Sequence, residues 1–241
     1  MSRIEWTERT WNPTTGCAKV SPGCLHCYAE VMARRLHAMG APGYERRFEL
    51  TLQPDRLEQP LQRRAPTVYF VNSMSDLFHK DVPEDFLDRV FDVMRVTPQH
   101  TYQVLTKRAV RLPEYFANRT VPDNCWLGVS VEDRRRIRRV PLLRQVAAKV
   151  RFLSIEPLLE DLGELDLRGI HWVIVGGESG HQARPMRREW ALNVMNQCKD
   201  AGVAFFFKQW GRYGPDGVAR SKGANGRKLG RRTFDEYPAL A

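Results

Sequence analysis

The 241-residue chain has no apolar run near the ~18 residues that a membrane span needs, so we expect no membrane association. Its first six residues, MSRIEW, carry charged side chains and lack an apolar core, so no secretory signal is expected. The cysteines are few and odd in number, five in all. A disulfide framework is therefore not expected, and we predict a reducing, cytoplasmic location.

The sequence also lacks the two glycine-rich nucleotide-binding patterns, G-x-G-x-x-G and G-x-x-x-x-G-K-[ST]. Their absence counts against a nucleotide-binding open sheet. Acidic residues are in deficit, since 38 Lys and Arg face 28 Asp and Glu, a formal net charge of +10. Such an excess favours an anionic partner, nucleic acid first. With 42% hydrophobic and 27% charged residues, the composition is that of a globular protein and not of a disordered one.

Short apolar segments, each followed by polar residues, predict strands that are buried on both faces, as in a parallel sheet. Six are clear, and they span 68–71, 102–105, 126–129, 152–155, 172–175 and 204–207. Two weaker segments precede them, near 10–12 and 48–52. The gaps between the clear segments leave room for a crossover helix each time.

Three of the crossover helices are readable from their apolar faces. They are predicted over 27–39, 83–96 and 188–201, with Asp81 as a cap of the second. The fold predicted from this series is α/β, a TIM-like (β/α) barrel, partial or full, with six to eight parallel strands. An open doubly wound sheet is the alternative. We assign 1–210 to the barrel and 211–241 to a basic, Gly-rich extension, whose 211–232 part is expected to be extended and not packed.

Three of the five cysteines lie close together. Cys17, Cys24 and Cys27 form a C-x6-C-x2-C loop between the first predicted strand and the first predicted helix. Three soft thiolates suit an iron–sulfur cluster or a zinc ion. Zinc would need a fourth ligand, for which His26 and Cys125 are the candidates, whereas a four-iron cluster tolerates an open position. Buried free thiols are a third interpretation.

Several stretches resemble one family of enzymes. The segments NPTTGC (12–17) and CLHCYA (24–29) are similar to the cluster loop of radical S-adenosylmethionine enzymes, in particular the branch related to spore photoproduct lyase. The likeness covers almost the whole chain and is to a phage-associated and bacterial three-cysteine family of unknown function. Further supporting stretches are 6–13, 72–78, 105–108, 128–132, 154–158, 176–180 and 207–211.

The resemblance implies a [4Fe-4S] cluster on the three cysteines whose open iron binds S-adenosyl-L-methionine. Reductive cleavage of that cofactor then gives a 5′-deoxyadenosyl radical that abstracts hydrogen from a substrate, so an electron donor is implied as a partner. Two departures stand out. The first cysteine gap is six residues where such loops have three, and the only Gly-Gly-Glu stretch, 176–178, lies late in the chain and not after the second strand.

Polar residues at the predicted strand ends are the candidate cofactor ligands, because the chemistry of a parallel barrel lies at that edge. Together with His26 and Tyr28 beside the last cysteine, they are Asn72, Ser73, Asp76, Thr106, Lys107, Ser130, Glu132, Glu156, Glu178 and Lys208. Carboxylates suit an ammonium group or ribose hydroxyls. The alternative for the three glutamates is ion pairing with Lys107, Arg108 or Lys208.

Two basic regions are candidates for phosphate contact with DNA or RNA. One is the 211–232 part of the tail, and the other is the cluster Arg134, Arg135, Arg136, Arg138 and Arg139, for which a solvated helix face is the alternative. Trp210, at a strand end, is a candidate for stacking.

The sequence thus predicts a radical S-adenosylmethionine-type enzyme that acts on nucleic acid or a nucleotide-like substrate, in modification or repair. Two alternatives stay open. One is a non-enzymatic protein that binds nucleic acid or another partner and uses the metal–cysteine loop structurally. The other is a zinc-dependent barrel hydrolase.

Overall fold

The main sheet is parallel, and its strands lie side by side in sequence order. The computed structural model describes residues 4–239. In chain order its strands are β1 (Arg9–Trp11), β2 (Thr14–Thr15), β3 (Thr51–Leu52), β4 (Val68–Val71), β5 (Thr101–Thr106), β6 (Cys125–Ser130), β7 (Val150–Ile155), β8 (Trp172–Gly176) and β9 (Ala204–Gln209). The seven-stranded sheet has the order β1-β4-β5-β6-β7-β8-β9, with every pair parallel. Its end strands β1 and β9 do not pair with each other, so it is a partial (β/α) barrel.

The helices are α1 (Tyr28–Ala38), α2 (Glu84–Arg95), α3 (Arg111–Tyr115), α4 (Arg139–Arg144), α5 (Arg188–Asp200) and α6 (Lys222–Asn225). The predicted fold class, the six clear strands and the three predicted helices are confirmed, with ends that differ by one or two residues. No helix within residues 4–239 is long and apolar enough to cross a membrane.

Two local predictions are wrong. The weak segment near 48–52 is not a barrel strand, because β3 pairs antiparallel with β2 in a separate two-stranded sheet. Pro54 follows at once and opens a 3-10 turn, which ends the pairing since proline has no amide hydrogen to donate. Asp81 does not cap α2, whose N-cap is Pro83 without a side-chain hydrogen bond.

Both faces of the sheet are buried, which explains why its strands are continuous apolar runs. Alternate side chains of β9 show the division, since Phe205 and Phe207 join the large core under the helices, whereas Phe206 points to the concave face. Trp172 lies at the centre of that concave face. It makes edge contacts with the rings of Trp6, Trp126 and Phe206 at centroid distances of 5.9–6.1 Å. Aromatic side chains therefore fill this part of the barrel interior.

The end of the C-terminal segment packs against the sheet, and within 211–232, the stretch predicted to be unpacked, Leu229 is buried. The backbone of the segment covers the outer edge of β9, where the Phe207 amide donates to Phe234 O at 3.0 Å. The indole of Trp172 donates to Glu236 O and that of Trp210 to Lys228 O, each at 2.8 Å. Trp210 is buried, so it is not available for stacking. Exposed sheet edges are aggregation-prone, and the segment removes this one.

Gly128 tests the packing of the concave face. An added Cβ would lie 2.5 Å from ring atoms of the buried Phe152, so we expect Gly128→Ala to destabilise the fold by roughly 1–3 kcal/mol, as overpacking does. Urea unfolding measures this. Gly223→Ala is the matched control, since its added Cβ would meet nothing within 4 Å, and its midpoint should stay near wild type. Equal midpoints for the two variants would show that the concave face is loosely packed.

Candidate functional site

A cavity of about 400 Å³ lies at the C-terminal edge of the sheet, within the size range of small-molecule sites. Strand ends from β4 to β9 and the cysteine loop (residues 17–27) line it. The residues predicted from the sequence that reach it are Cys17, Cys24, His26, Cys27, Tyr28, Asn72, Ser73, Asp76, Thr106, Lys107, Ser130, Glu156, Glu178 and Lys208. The structure thus brings all three thiols and nearly all predicted cofactor ligands to one cavity.

Backbone pairing fixes the start of the cysteine loop. The amide of Gly16 donates to Met74 O and that of Cys17 to Phe48 O, both at 3.0 Å. Gly16 has a φ of +78°, and an added Cβ would lie 2.0 Å from Glu49 O, so only glycine fits there. A 3-10 turn, Pro22–Cys24, follows, and α1 begins directly after Cys27.

The three thiols fit an iron–sulfur cluster as a donor set. All are free and half-buried, and all face the same cavity. Within residues 4–239 no three Cys, His, Asp or Glu side chains converge closely enough to share one metal ion. A four-iron cluster does not require such convergence, because each cysteine binds a different iron. As a free thiol, Cys17 has a pKa raised above its usual value, first by burial and then by the nearby Asp76.

Arg108 contacts the first cysteine directly, although the sequence did not single it out as a ligand. Its Nη1 lies 3.5 Å from Cys17 Sγ and 3.0 Å from Asp76 Oδ2, and its Nη2 donates to Ala18 O at 3.0 Å. Asp76 also accepts from Thr106 Oγ1 at 2.7 Å and from the amide of Lys107 at 3.0 Å. The carboxylate of Asp76 is therefore engaged in holding Arg108 on the cysteine loop.

Glu132 is the one predicted ligand that does not line the cavity. It is fully buried, and it accepts from Arg139 Nη1 at 2.7 Å, from Ser21 Oγ at 2.5 Å, and pairs with Lys107 at 3.6 Å. Burial opposes its ionisation, but the charges of Lys107 and Arg139 and the hydrogen bond from Ser21 outweigh this and hold its pKa below the usual range. The backbone at Gly23 packs on this side chain, since an added Cβ would lie 2.5 Å from Glu132 Cγ.

The other two glutamates are also paired with cations. Glu156 lies 3.2 Å from Lys208. Glu178 accepts two hydrogen bonds from the guanidinium of Arg184, at 2.8 and 2.6 Å, and a third from its backbone amide at 2.8 Å. Arg184 in turn donates to Pro22 O at 2.9 Å. Ion pairing was the alternative interpretation for the glutamates, and Arg184 is a partner that no sequence pattern indicated.

Two neighbouring residues after β4 shape the wall of the cavity. Asn72 has a φ of +59° and is buried, and its amide group pairs with the amide and hydroxyl of Thr14 at 3.3 and 2.8 Å. The carbonyl of Ser73 accepts from the Tyr28 hydroxyl. These contacts join the end of β4 to the strand before the cysteine loop and to the helix after it.

The basic cluster 134–139 divides into buried and exposed members. Arg139 is buried on Glu132 and donates also to Ser130 O, so the prediction that it contacts nucleic acid is wrong. Arg134 and Arg136 pair with Asp161 and Asp133. Arg135 and Arg138 are exposed and stay candidates for phosphate contact.

The site is thus a polar cavity with a three-thiol loop at the carboxyl edge of a partial (β/α) barrel. A family model matches residues 1–238, and the chain belongs to the family described as Protein of unknown function (DUF5131). This confirms the expected membership of a family of unknown function, while its phage association stays a prediction. No curated protein matches the chain.

Among solved structures, the chain is similar to spore photoproduct lyase. For a cysteine-to-serine mutant of the lyase the TM-score is 0.48 at 14% identity, covering 70% of this chain and 55% of that one. For the lyase complexed with dinucleoside spore photoproduct the TM-score is 0.47 at 13% identity, covering 77% of this chain and 59% of that one. For a double mutant of the lyase with bound AdoMet and the same dinucleoside, the TM-score is 0.47 at 14% identity, covering 69% of this chain and 55% of that one. This chain spans just over half of each lyase chain, and the likeness is one of fold.

The buried Glu132 gives a prediction for stability. Glu132→Gln leaves Arg139 without its charged partner, which costs roughly 3–5 kcal/mol for a buried pair, measured by urea unfolding at pH 7. Because the folded pKa of Glu132 is lowered, its stabilisation is complete above the usual glutamate pKa of about 4.3 and is lost as the pH falls through the lowered value. The difference in unfolding free energy between Glu132→Gln and wild type should therefore become smaller at acidic pH.

The exposed Glu164 supplies the matched control. Glu164→Gln should change the unfolding midpoint little at any pH, since surface substitutions stay within about ±0.5 kcal/mol. A wild-type midpoint for Glu132→Gln at pH 7 would show that the buried pair contributes nothing to the fold.

Proposed function

We propose that this protein is a radical S-adenosylmethionine-type enzyme, with a [4Fe-4S] cluster held by Cys17, Cys24 and Cys27. The observation that carries the proposal is that these three thiols and the polar ends of six parallel strands line one cavity. The sequence stretches that resemble radical S-adenosylmethionine enzymes contribute most of that lining. A cytoplasmic, reducing location belongs to the same proposal, since the thiolates must stay unoxidised.

When bound, such a cluster supplies an electron to S-adenosyl-L-methionine and so the radical chemistry that removes a hydrogen atom from a substrate. The side chains of this protein bind and orient the reactants. Glu156 and Glu178 reach the cavity as carboxylates, which suit an ammonium group or ribose hydroxyls. Lys107 and Lys208 offer ammonium groups for a carboxylate or a phosphate. The buried aromatic floor formed by Trp6 and Phe70 keeps water out of the deep end of the cavity.

The proposed substrate is nucleic acid or a nucleotide-like molecule. The net charge of +10 and the exposed Arg135 and Arg138 support an anionic substrate. An electron-donating protein or reductant is the further partner that the chemistry needs.

The test of the cofactor is anaerobic reconstitution followed by iron, sulfide and zinc analysis. We expect about four irons and four sulfides per chain, the content of the proposed cluster, and a spectrum that changes when S-adenosyl-L-methionine is added. After reduction, 5′-deoxyadenosine should form. One zinc per chain and no iron uptake would instead support the zinc hydrolase alternative.

Cys24→Ala should abolish cluster assembly, because two thiolates do not retain a site built for three. The matched control is Cys198→Ala, a thiol buried in α5 and away from the cavity, which should keep the full iron load. Thermal unfolding of both apoproteins separates a loss of ligand from a loss of fold. A full iron load in Cys24→Ala would exclude Cys24 as a ligand.

The nucleic-acid proposal is tested on the exposed arginines. In the Arg135→Ala/Arg138→Ala variant, binding of an oligonucleotide should weaken, and the slope of log K against log salt should decrease by about 0.9 for each lost phosphate contact. The control removes the same charge elsewhere, by Arg89→Ala/Arg168→Ala at two exposed positions. If both variants lose the same affinity, binding follows net charge and not this surface.

A further inference from the structure

One charged side chain reaches a proposed cluster ligand from outside the cysteine loop. Arg108 follows β5, and its side chain is only 12% exposed. Its Nη1 lies 3.5 Å from Cys17 Sγ, and its Nη2 donates to the carbonyl of the next residue, Ala18, at 3.0 Å. One guanidinium therefore contacts both a thiol and the backbone beside it.

The guanidinium is held in place before any cluster is present. Asp76 Oδ2 accepts from Arg108 Nη1 at 3.0 Å, and Asp76 is itself fixed by the amides of Phe78 and Lys107 and by the hydroxyl of Thr106. The amide of Arg108 donates to the same threonine hydroxyl at 2.9 Å. A donor fixed in this way needs no reorganisation when charge develops next to it.

The three cysteines of the loop differ in whether a side-chain donor is available to their sulfur atoms. Cys24 has the hydroxyl of Ser21 at 3.7 Å, but the hydrogen of that hydroxyl is donated to Glu132. For Cys27 no side-chain donor is present among residues 4–239. Within that part of the chain, Cys17 is thus the one cysteine of the loop that accepts from a cation.

We propose that Arg108 is a positioning residue that raises the reduction potential of the cluster through its hydrogen bond to Cys17. The inference rests on the proposed function and deepens it. Reduction adds one electron, taken from an external reductant, and makes the cluster more negative. An N–H···S hydrogen bond stabilises the reduced state more than the oxidised one, and hydrogen bonds to sulfur are a known determinant of cluster potential. The charge of Arg108 also offsets that of its partner Asp76, which would otherwise oppose the added negative charge.

The test is a redox titration of the anaerobically reconstituted protein, followed by electron paramagnetic resonance, without substrate. In Arg108→Gln we expect the one-electron reduction equilibrium to fall about tenfold, which corresponds to about 59 mV, with iron and sulfide contents near wild type. Arg108→Lys keeps the charge but loses the planar fork, so its potential should lie between those of wild type and Arg108→Gln.

Arg184→Gln is the matched control. Arg184 also bonds the cysteine loop, at Pro22 O, and carries the same charge, but it has no contact with a cysteine sulfur. We expect its potential to stay closer to wild type than that of Arg108→Gln. If the reduction potential shifts equally in Arg108→Gln and Arg184→Gln, the effect follows from the loss of one positive charge, and the role of the hydrogen bond is overturned.

The outcomes separate this inference from the proposed function. A wild-type protein that binds no iron would refute both. A wild-type cluster with an unchanged potential in Arg108→Gln would refute the inference alone. If Arg108→Gln does not retain iron, the redox titration of Arg108→Lys tests the proposal in its place. A reduction potential equal to that of wild type in Arg108→Lys, which lacks the planar guanidinium, would also overturn the proposal.

Discussion

The docking of the cysteine loop on the strand ends is the constraint on which the site depends. A loop of this length has few apolar side chains to bury, and it is held instead by paired charges. Asp76 holds Arg108 on Cys17 and Ala18, and Glu178 holds Arg184 on Pro22. In each pair the carboxylate lies in the segment after a strand, β4 or β8, and orients an arginine whose remaining donors bond the loop. Such charge-assisted, multiply bonded contacts supply both strength and geometry.

The six-residue first gap of the cysteine motif has a structural explanation in these contacts. Ser21 and Gly23, which lie in the added length, contact the buried Glu132, and Pro22 between them is bonded by Arg184. The extra residues therefore do not bulge freely into solvent. They attach the loop to the segments after β6 and β8, and Gly23 also lines the cavity.

The barrel supplies the other half of the arrangement. Aromatic side chains fill its concave face around Trp172, and the cavity described above lies at the carboxyl edge, where the polar residues are. The C-terminal segment covers the edge of β9 and satisfies the indoles of Trp172 and Trp210. A rigid, filled barrel beneath a loop fixed by ion pairs is the kind of support that a preorganised site requires.

The sequence by itself determined the local features. Apolar runs gave the six clear strands, amphipathic periodicity gave the three helices, and the spacing of Cys17, Cys24 and Cys27 identified the loop, because each of these signals lies within a few consecutive residues. It also identified most of the polar residues that face the cavity, Glu132 being the exception, since parallel strands bring their carboxyl ends to one edge.

Only the tertiary structure decided which of those polar groups are already engaged. Glu132 and Arg139 are seven residues apart. The sequence predicts a cofactor ligand at Glu132 and a surface charge at Arg139, yet the two side chains form one buried ion pair. Arg108 and Arg184 lie 91 and 162 positions from their loop partners Cys17 and Pro22. Contacts between such distant positions depend on the register of the sheet and on the path of the loop. No local pattern encodes them, because a lone arginine in sequence looks the same whether it faces solvent or a thiol.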